Sequence, residues 1–160
     1  MTLTALVPIK RFDRAKSRLA PLLDAAGRAA FAEQTATTVL AALPARPEID
    51  RCLVLADSDQ IADFAAEHGA EALADPVPGN LGASLAAALD GLAARGASAA
   101  LVVMADLALL GPDDLSEPLA LLREHGAVIV PDLDDQGTNL LGSRLPLAFP
   151  TAFATPDSFR

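Results

Sequence analysis

Three times the chain writes the same stop signal. Glu67-His68-Gly69-Ala70, Arg95-Gly96-Ala97 and Glu124-His125-Gly126-Ala127 each place a glycine behind a basic or neutral side chain. A glycine there can take the left-handed conformation that closes a helix, and the side chain before it suits the negative end of the helix dipole. A strand-like segment follows each stop. Between the stops the apolar pattern alternates between two periods. Residues 3–7, 51–56, 99–104 and 127–130 are short apolar runs that read as strands. Residues 25–43, 58–68, 82–95 and 111–125 read as helices, with Asp24 and Ser58 placed as caps and Pro112 in a first turn where its missing N–H does no harm. Residues 75–81, with Pro76, Pro78 and Gly79, read as a loop. Strand and helix in alternation predict an α/β fold with a mostly parallel sheet and helices on both faces. At 160 residues, with no linker and no low-complexity tract, one domain over 1–160 is expected.

Composition narrows the class. Hydrophobic residues make up 52% of the chain, which excludes a disordered protein, and a lone cysteine, Cys52, excludes a disulfide scaffold. No apolar run is long enough to span a bilayer, and residues 1–8 carry no basic leader. A cytoplasmic protein with no membrane contact is expected. A net charge of −9 argues against nucleic-acid binding. The charge is uneven, however. Lys10, Arg11, Arg14, Lys16 and Arg18 fall within nine residues opposed only by Asp13, and they include both lysines of the chain. A basic loop after the first strand of an acidic α/β protein predicts a local anion site. In such folds ligands bind outside the carboxyl ends of the strands. Asp57, Asp106 and the group Asp132, Asp134 and Asp135 occupy the matching places after other strands.

Several chemistries are excluded. The basic loop has Lys16-Ser17 but none of the glycines that a phosphate-wrapping P-loop requires. His68 and His125 sit at helix ends and Cys52 inside a strand, so neither Ser–His–Asp catalysis nor a typical zinc site is expected. The group at 132–135 lacks the spacing of a calcium loop and reads as an exposed acidic turn.

The run from Val7 to Leu19, with Pro8, Lys10, Ala15, Lys16, Arg18 and Leu19, resembles the guanylyltransferases of deazaflavin coenzyme F-420 biosynthesis, which act on 2-phospho-L-lactate or phosphoenolpyruvate. Leu101 to Leu110, an apolar strand ending in Ala105-Asp106-Leu107, is similar to that family's strand end. Val128 to Asp132 followed by Gly137-Thr138-Asn139 is similar to its Gly-Thr-Asn segment. The resemblance implies a Rossmann-like nucleotidyltransferase sandwich. It implies transfer of GMP from GTP to the phosphate of a small phosphorylated carboxylic acid, with Mg²⁺ as cofactor and pyrophosphate as leaving group. The acid would be 2-phospho-L-lactate, phosphoenolpyruvate or 3-phosphoglycerate. Lys10, Lys16 and Arg18 would then hold the triphosphate, with Ser84 at the helix start also on the nucleotide. Asp106 would bind the metal, and Lys10, Lys16 and Asp106 would carry catalysis. Thr138, Thr155 and Ser158 would hold the acid.

The family's Gly-Pro-Gly-Ser-Phe reads Thr155-Pro156-Asp157-Ser158-Phe159 here, and Ala108 replaces a proline. Family members continue past this point to a second metal-binding aspartate, so the family's C-terminal segment is expected to be missing from 1–160. Two alternatives therefore stand beside the leading reading. One is another nucleotidyltransferase of the same fold, and the other is a truncated, non-catalytic nucleotide-binding homologue. The alanine- and leucine-rich helices could also supply a homodimer face.

Overall fold

The computed structural model describes residues 1–149. Six strands form one sheet: β1 (Leu3–Ile9), β2 (Arg51–Ala56), β3 (Glu71–Ala74), β4 (Ala99–Val103), β5 (Ala127–Pro131) and β6 (Thr138–Arg144), in the order β3-β2-β1-β4-β6-β5. Strands β3, β2, β1 and β4 run parallel, and β6 is antiparallel to both β4 and β5. The expected mostly parallel α/β sheet is present. The centre of β1 explains why its run is apolar throughout: it is covered on both faces. Leu3, Ala5, Val7 and Ile9 face one core and Leu6 the other.

Four helices cover the sheet: α1 (Ala25–Ala42), α2 (Asp59–Glu67), α3 (Leu81–Ala94) and α4 (Ser116–His125). Val39 and Leu40 of α1, Ile61 and Phe64 of α2 and Leu119 and Leu122 of α4 join the first core. Leu85, Ala88, Leu89 and Leu92 of α3 make the second with Leu53, Leu55 and Val102. Helices thus lie on both faces, as the alternation predicts.

The caps divide into two kinds. Asp24 accepts a 2.7 Å hydrogen bond from the Gly27 N–H and starts α1. Ser58 stands at the start of α2 but caps nothing, because its hydroxyl donates to Asp57 Oδ1 at 3.2 Å. The predicted helix at 111–125 is broken into a 3-10 turn, Pro112–Leu115, and α4. The glycine stops behave as read: Gly69, Gly96 and Gly126 have φ of 72°, 87° and 83°. Among the described residues, no helix is long and apolar enough to cross a membrane.

The strand order reverses direction between β1 and β4. From β1 the chain builds outward through β2 and β3, then returns to place β4 on the other side. The loops leaving these two strands diverge and open a crevice at their carboxyl ends.

Candidate active site

The basic loop leaves β1 through two 3-10 turns, at Phe12–Arg14 and Ser17–Leu19. Its first turn is fixed from three sides. Phe12 is buried and meets Phe64 of α2 edge-on, with ring centroids 5.0 Å apart. The Arg11 N–H donates to both carboxylate oxygens of Asp57, at 3.0 and 3.2 Å. The Arg11 guanidinium forks onto Asp13, at 3.0 and 2.7 Å, and holds that carboxyl below its ordinary range. Asp57, a carboxylate at the crevice by sequence, is thereby part of the scaffold.

Lys16 is one of two non-glycine residues with positive φ among those described, at φ 56° and ψ 36°. The left-handed conformation costs a side-chain-bearing residue about 1–2 kcal/mol and persists where surrounding contacts over-determine it. The contacts are visible. Lys16 Nζ donates to Asp106 Oδ2 at 3.1 Å and lies 5.8 Å from the centre of the Phe31 ring. That bond ties the loop after β1 to the loop after β4 across the reversal point.

A cavity of about 340 Å³ lies beneath this bridge. Lys10, Arg14, Lys16 and Asp106 line it, with Leu81 from α3 and a floor of Ala32, Thr35 and Ala36 from α1. The small residues of α1 leave room where larger ones would fill it. Three cations face one carboxylate, so the lining carries a net charge of +2. The cation pairing is selective: Lys16 is on Asp106, and the side chains of Lys10 and Arg14 donate no hydrogen bond among the described residues. Of the residues expected on the nucleotide, Lys10 and Lys16 come together here with Asp106. Arg18 sits on the second turn, exposed and away from the lining. Arg14, which the sequence reading left in the charge run, takes a place in the lining instead.

Ser84 has a different environment from the one its place at a helix start predicts. It is fully buried, and its hydroxyl lies against the Asp75 carboxylate and the Val77 carbonyl, the latter at 2.8 Å. Asp75 Oδ1 also accepts from the Val77 N–H at 2.9 Å, and Asn80 caps α3 by accepting from Ala83 N–H at 3.1 Å. Ser84 therefore clamps the 75–84 loop, which in turn sets Leu81 in the cavity wall.

A second cavity, of about 510 Å³, adjoins the first through Asp106, which lines both. Asn139, Leu140 and Val130 form one side of it and residues 107–110 with Asp114 the other. Thr138 opens β6 beside it but is not in its lining. Its neighbour Asn139 is, and it organises the corner: its backbone carbonyl accepts from Met104 N–H at 3.0 Å and its Nδ2 donates to the Pro131 carbonyl at 3.1 Å. The sequence marks Asn139 only as the end of Gly-Thr-Asn. Thr155 and Ser158 lie outside the described residues.

The acidic group between β5 and β6 forms a turn closed in part by its own side chain. Asp132 Oδ1 accepts from the N–H groups of Asp134 and Gln136, at 3.2 and 3.0 Å, and these with Gly137 hold the Asp132 carboxyl below its ordinary value. A Cβ on Gly137 would stand 2.6 Å from Asp132 Oδ2, so any side chain there would displace that carboxylate. Among the described residues no group of three or more His, Cys, Asp or Glu side chains could hold a metal ion. His68 is engaged by the Phe64 carbonyl at 2.8 Å and Thr37 Oγ1 at 3.2 Å. Burial pushes the Cys52 thiol up to about 11, so it is a thiol at neutral pH and a poor nucleophile.

Two cations without a side-chain hydrogen bond among the described residues line a cavity with Asp106 at the strand reversal, a lining that suits an anionic ligand, and comparison with known proteins bears on which kind. The family model described as "Guanylyl transferase CofC like" matches residues 3–159. This chain belongs to that family. A phosphoenolpyruvate guanylyltransferase from Sphaerobacter thermophilus is 36% identical over 153 residues, covering 96% of this chain and 73% of the relative. Among solved structures, a candidate nucleotide-diphospho-sugar transferase from Desulfovibrio desulfuricans G20 is similar with a TM-score of 0.76 and 20% identity, covering 90% of this chain and 64% of that one. A cytidylyltransferase from Leptospira borgpetersenii is similar with a TM-score of 0.63 and 12% identity, covering 91% and 61%. At these identities the structures speak to the fold, which is the Rossmann-like sheet of nucleotidyltransferases.

Proposed function

We propose that this chain carries out guanylyl transfer: GMP passes from GTP to the phosphate of a small phosphorylated carboxylic acid, phosphoenolpyruvate being the first candidate, and pyrophosphate leaves. The observation that carries the reading is the cavity at the strand reversal, whose lining includes Lys10, Arg14, Lys16 and Asp106. In this transfer an oxygen of the acid's phosphate bonds to the α-phosphorus of GTP, and the bond from that phosphorus to the β-phosphate oxygen breaks. A phosphomonoester is mostly dianionic at neutral pH, with a second pKa of about 6, so its oxygen is a nucleophile without help from a base. The absence of a histidine from the lining accords with that chemistry.

What the reaction does demand is relief of repulsion between two anions. Lys10 and Lys16 supply fixed positive charge on the nucleotide side, with long side chains standing where a P-loop would offer backbone N–H groups. Asp106 lines both cavities, and on this reading it would stand between the nucleotide and the acid. Its neighbourhood fits a magnesium ion of a particular kind. Asp106 is an exposed carboxylate paired with Lys16 and belongs to no group of three or more such side chains among the described residues, so a magnesium ion there would be held mainly by phosphate oxygens and water, magnesium's usual mode beside phosphates. Such an ion would neutralise charge developing on the phosphates. Thr138 and Asn139, beside the second cavity, are the described residues best placed for the acid, with Thr155 and Ser158 proposed alongside them. Production of the activated precursor of coenzyme F-420 in the cytoplasm is the pathway role that accords with this reaction.

The test is product formation from GTP and a divalent cation, offering phosphoenolpyruvate, 2-phospho-L-lactate and 3-phosphoglycerate separately. One acid giving a guanylylated product and stoichiometric pyrophosphate supports the reading and names the acceptor. GTP binding with no product from any acid supports a nucleotide-binding homologue instead.

A further inference from the structure

We propose that Arg14 is a phosphate-binding residue of this chain, receiving the terminal phosphates of the nucleotide, the part that leaves as pyrophosphate. The proposal rests on the guanylyl-transfer reading and adds to it a residue that the nucleotide contacts expected from the sequence, Lys10, Lys16, Arg18 and Ser84, do not include.

The cations of the basic loop have distinct fates. Arg11 is forked onto Asp13 and is not in the cavity lining. Lys16 is bonded to Asp106. Arg18 lies off the cavity. Lys10 and Arg14 remain, both lining the cavity and neither donating a side-chain hydrogen bond among the described residues. The exposed Arg14 guanidinium, with no protein hydrogen-bond acceptor among the described residues and only the nearby charge of Asp13, has its N–H donors free for an anion in that cavity. Its planar fork offers paired N–H donors that match two phosphate oxygens, which an ammonium cannot do.

The mounting of Arg14 makes it ready for that role. It ends the 3-10 turn whose other residues are fixed by the Phe12–Phe64 contact, the Asp57 carboxylate and the Arg11–Asp13 fork, and its own N–H donates to the Arg11 carbonyl at 3.1 Å. Little backbone freedom is left to lose when a ligand binds, which favours affinity. Its position selects which phosphates it meets. Asp106 is common to both cavities, so the phosphorus undergoing transfer belongs near it. Arg14 lines only the first cavity and is absent from the second, which the guanylyl-transfer reading gives to the acid. The group on the far side of the reacting phosphorus from the acceptor is the leaving pyrophosphate. Arg14 takes no part in the bond exchange and supplies charge to the departing group.

The experiment compares the wild-type chain with Arg14→Gln and Arg14→Lys. Calorimetric titration with magnesium pyrophosphate, in the absence of any acid, reads the contact directly, and thermal unfolding checks that each variant is folded. Arg14→Gln is expected to weaken pyrophosphate binding about tenfold, which is about 1.4 kcal/mol. Arg14→Lys should recover only part of that loss, because it restores the charge without the fork. In steady state Arg14→Gln should raise KM for GTP and leave KM for the acid within about twofold. Pyrophosphate binding unchanged in Arg14→Gln, with wild type binding GTP normally, would overturn the role of Arg14 and leave guanylyl transfer standing. A raised KM for the acid alone would likewise overturn it. Failure of the wild-type chain to bind either GTP or pyrophosphate would overturn the underlying reading and this one with it.

Discussion

Two loops at the carboxyl end of the sheet make the instructive contrast. The loop after β1 is basic, and the turn between β5 and β6 is acidic. By sequence alone both are charge runs, the first read as an anion site and the second as an exposed acidic turn. The basic loop satisfies its backbone largely by other means: Phe12 anchors it, Asp57 holds one N–H, and short 3-10 turns close on themselves. Two of its cations are left facing a cavity. The acidic turn does the reverse. Asp132 is consumed by N–H groups of its own loop, and Gly137 packs against it. What separates a candidate site from a structural turn is therefore the number of charges left unbonded at a cavity, which a residue count does not report.

The largest effect expected from breaking that contrast lies at the bridge. Asp106→Asn should lower turnover by about 10²–10³, because on this reading it removes the carboxylate that would hold the charge-neutralising magnesium ion. Single-turnover rates with GTP and the acid check this. Lys10→Met comes next. Loss of an unbonded cation from the cavity should raise KM for GTP about tenfold while leaving the melting temperature unchanged, since Lys10 is exposed and donates no hydrogen bond.

On the acidic side the expected losses are in stability rather than nucleotide affinity. Gly137→Ala drives a Cβ to 2.6 Å from Asp132 Oδ2 and should destabilise the fold by about 1–3 kcal/mol in urea unfolding, with KM for GTP unaffected. Asp132→Ala should destabilise in a pH-dependent way. The native carboxyl titrates below its ordinary 3.8, so the unfolded chain binds more protons between the two values and stability rises with pH there. The gap between wild type and Asp132→Ala should be full above pH 3.8 and close as the pH falls through the native value. Urea midpoints measured down the acid range check the sign. The smallest effect is at Arg18: Arg18→Gln should change KM for GTP by less than about twofold, because the side chain lies off the lining.

The fold was legible where local chemistry and packing agree. The apolar run of β1, the Asp24 cap and the three glycine stops each act through neighbours a few residues away, and each is where the sequence puts it. Strands β3 and β6 were harder to read. The four residues of β3, Glu-Ala-Leu-Ala, have a helical composition and become a strand only because β2 lies beside them. The interior of β6 holds Gly142, a residue that weakens strand propensity, and the reason is tertiary: a Cβ there would come within 2.8 Å of Val128 Cγ1. The site divides in the same way. Lys10, Lys16 and Asp106 were expected at one crevice because they follow strand ends, and they line one cavity. The places of Arg14 and Arg18 were not legible, since a run of cations says nothing of which way each points. Ser84 shows the same limit, because its hydroxyl is turned into the 75–84 loop by Asp75, nine residues before it.

The contrast between the loops can be tested in one experiment, an amide chemical-shift titration of the labelled chain, first with magnesium GTP and then with the acid. The account predicts that the nucleotide perturbs residues 10–16 and 104–106 and leaves 132–137 in place, and that residues 138–139 shift only when the acid is added. Nucleotide-induced shifts centred on residues 132–137, with 10–16 unmoved, would contradict it.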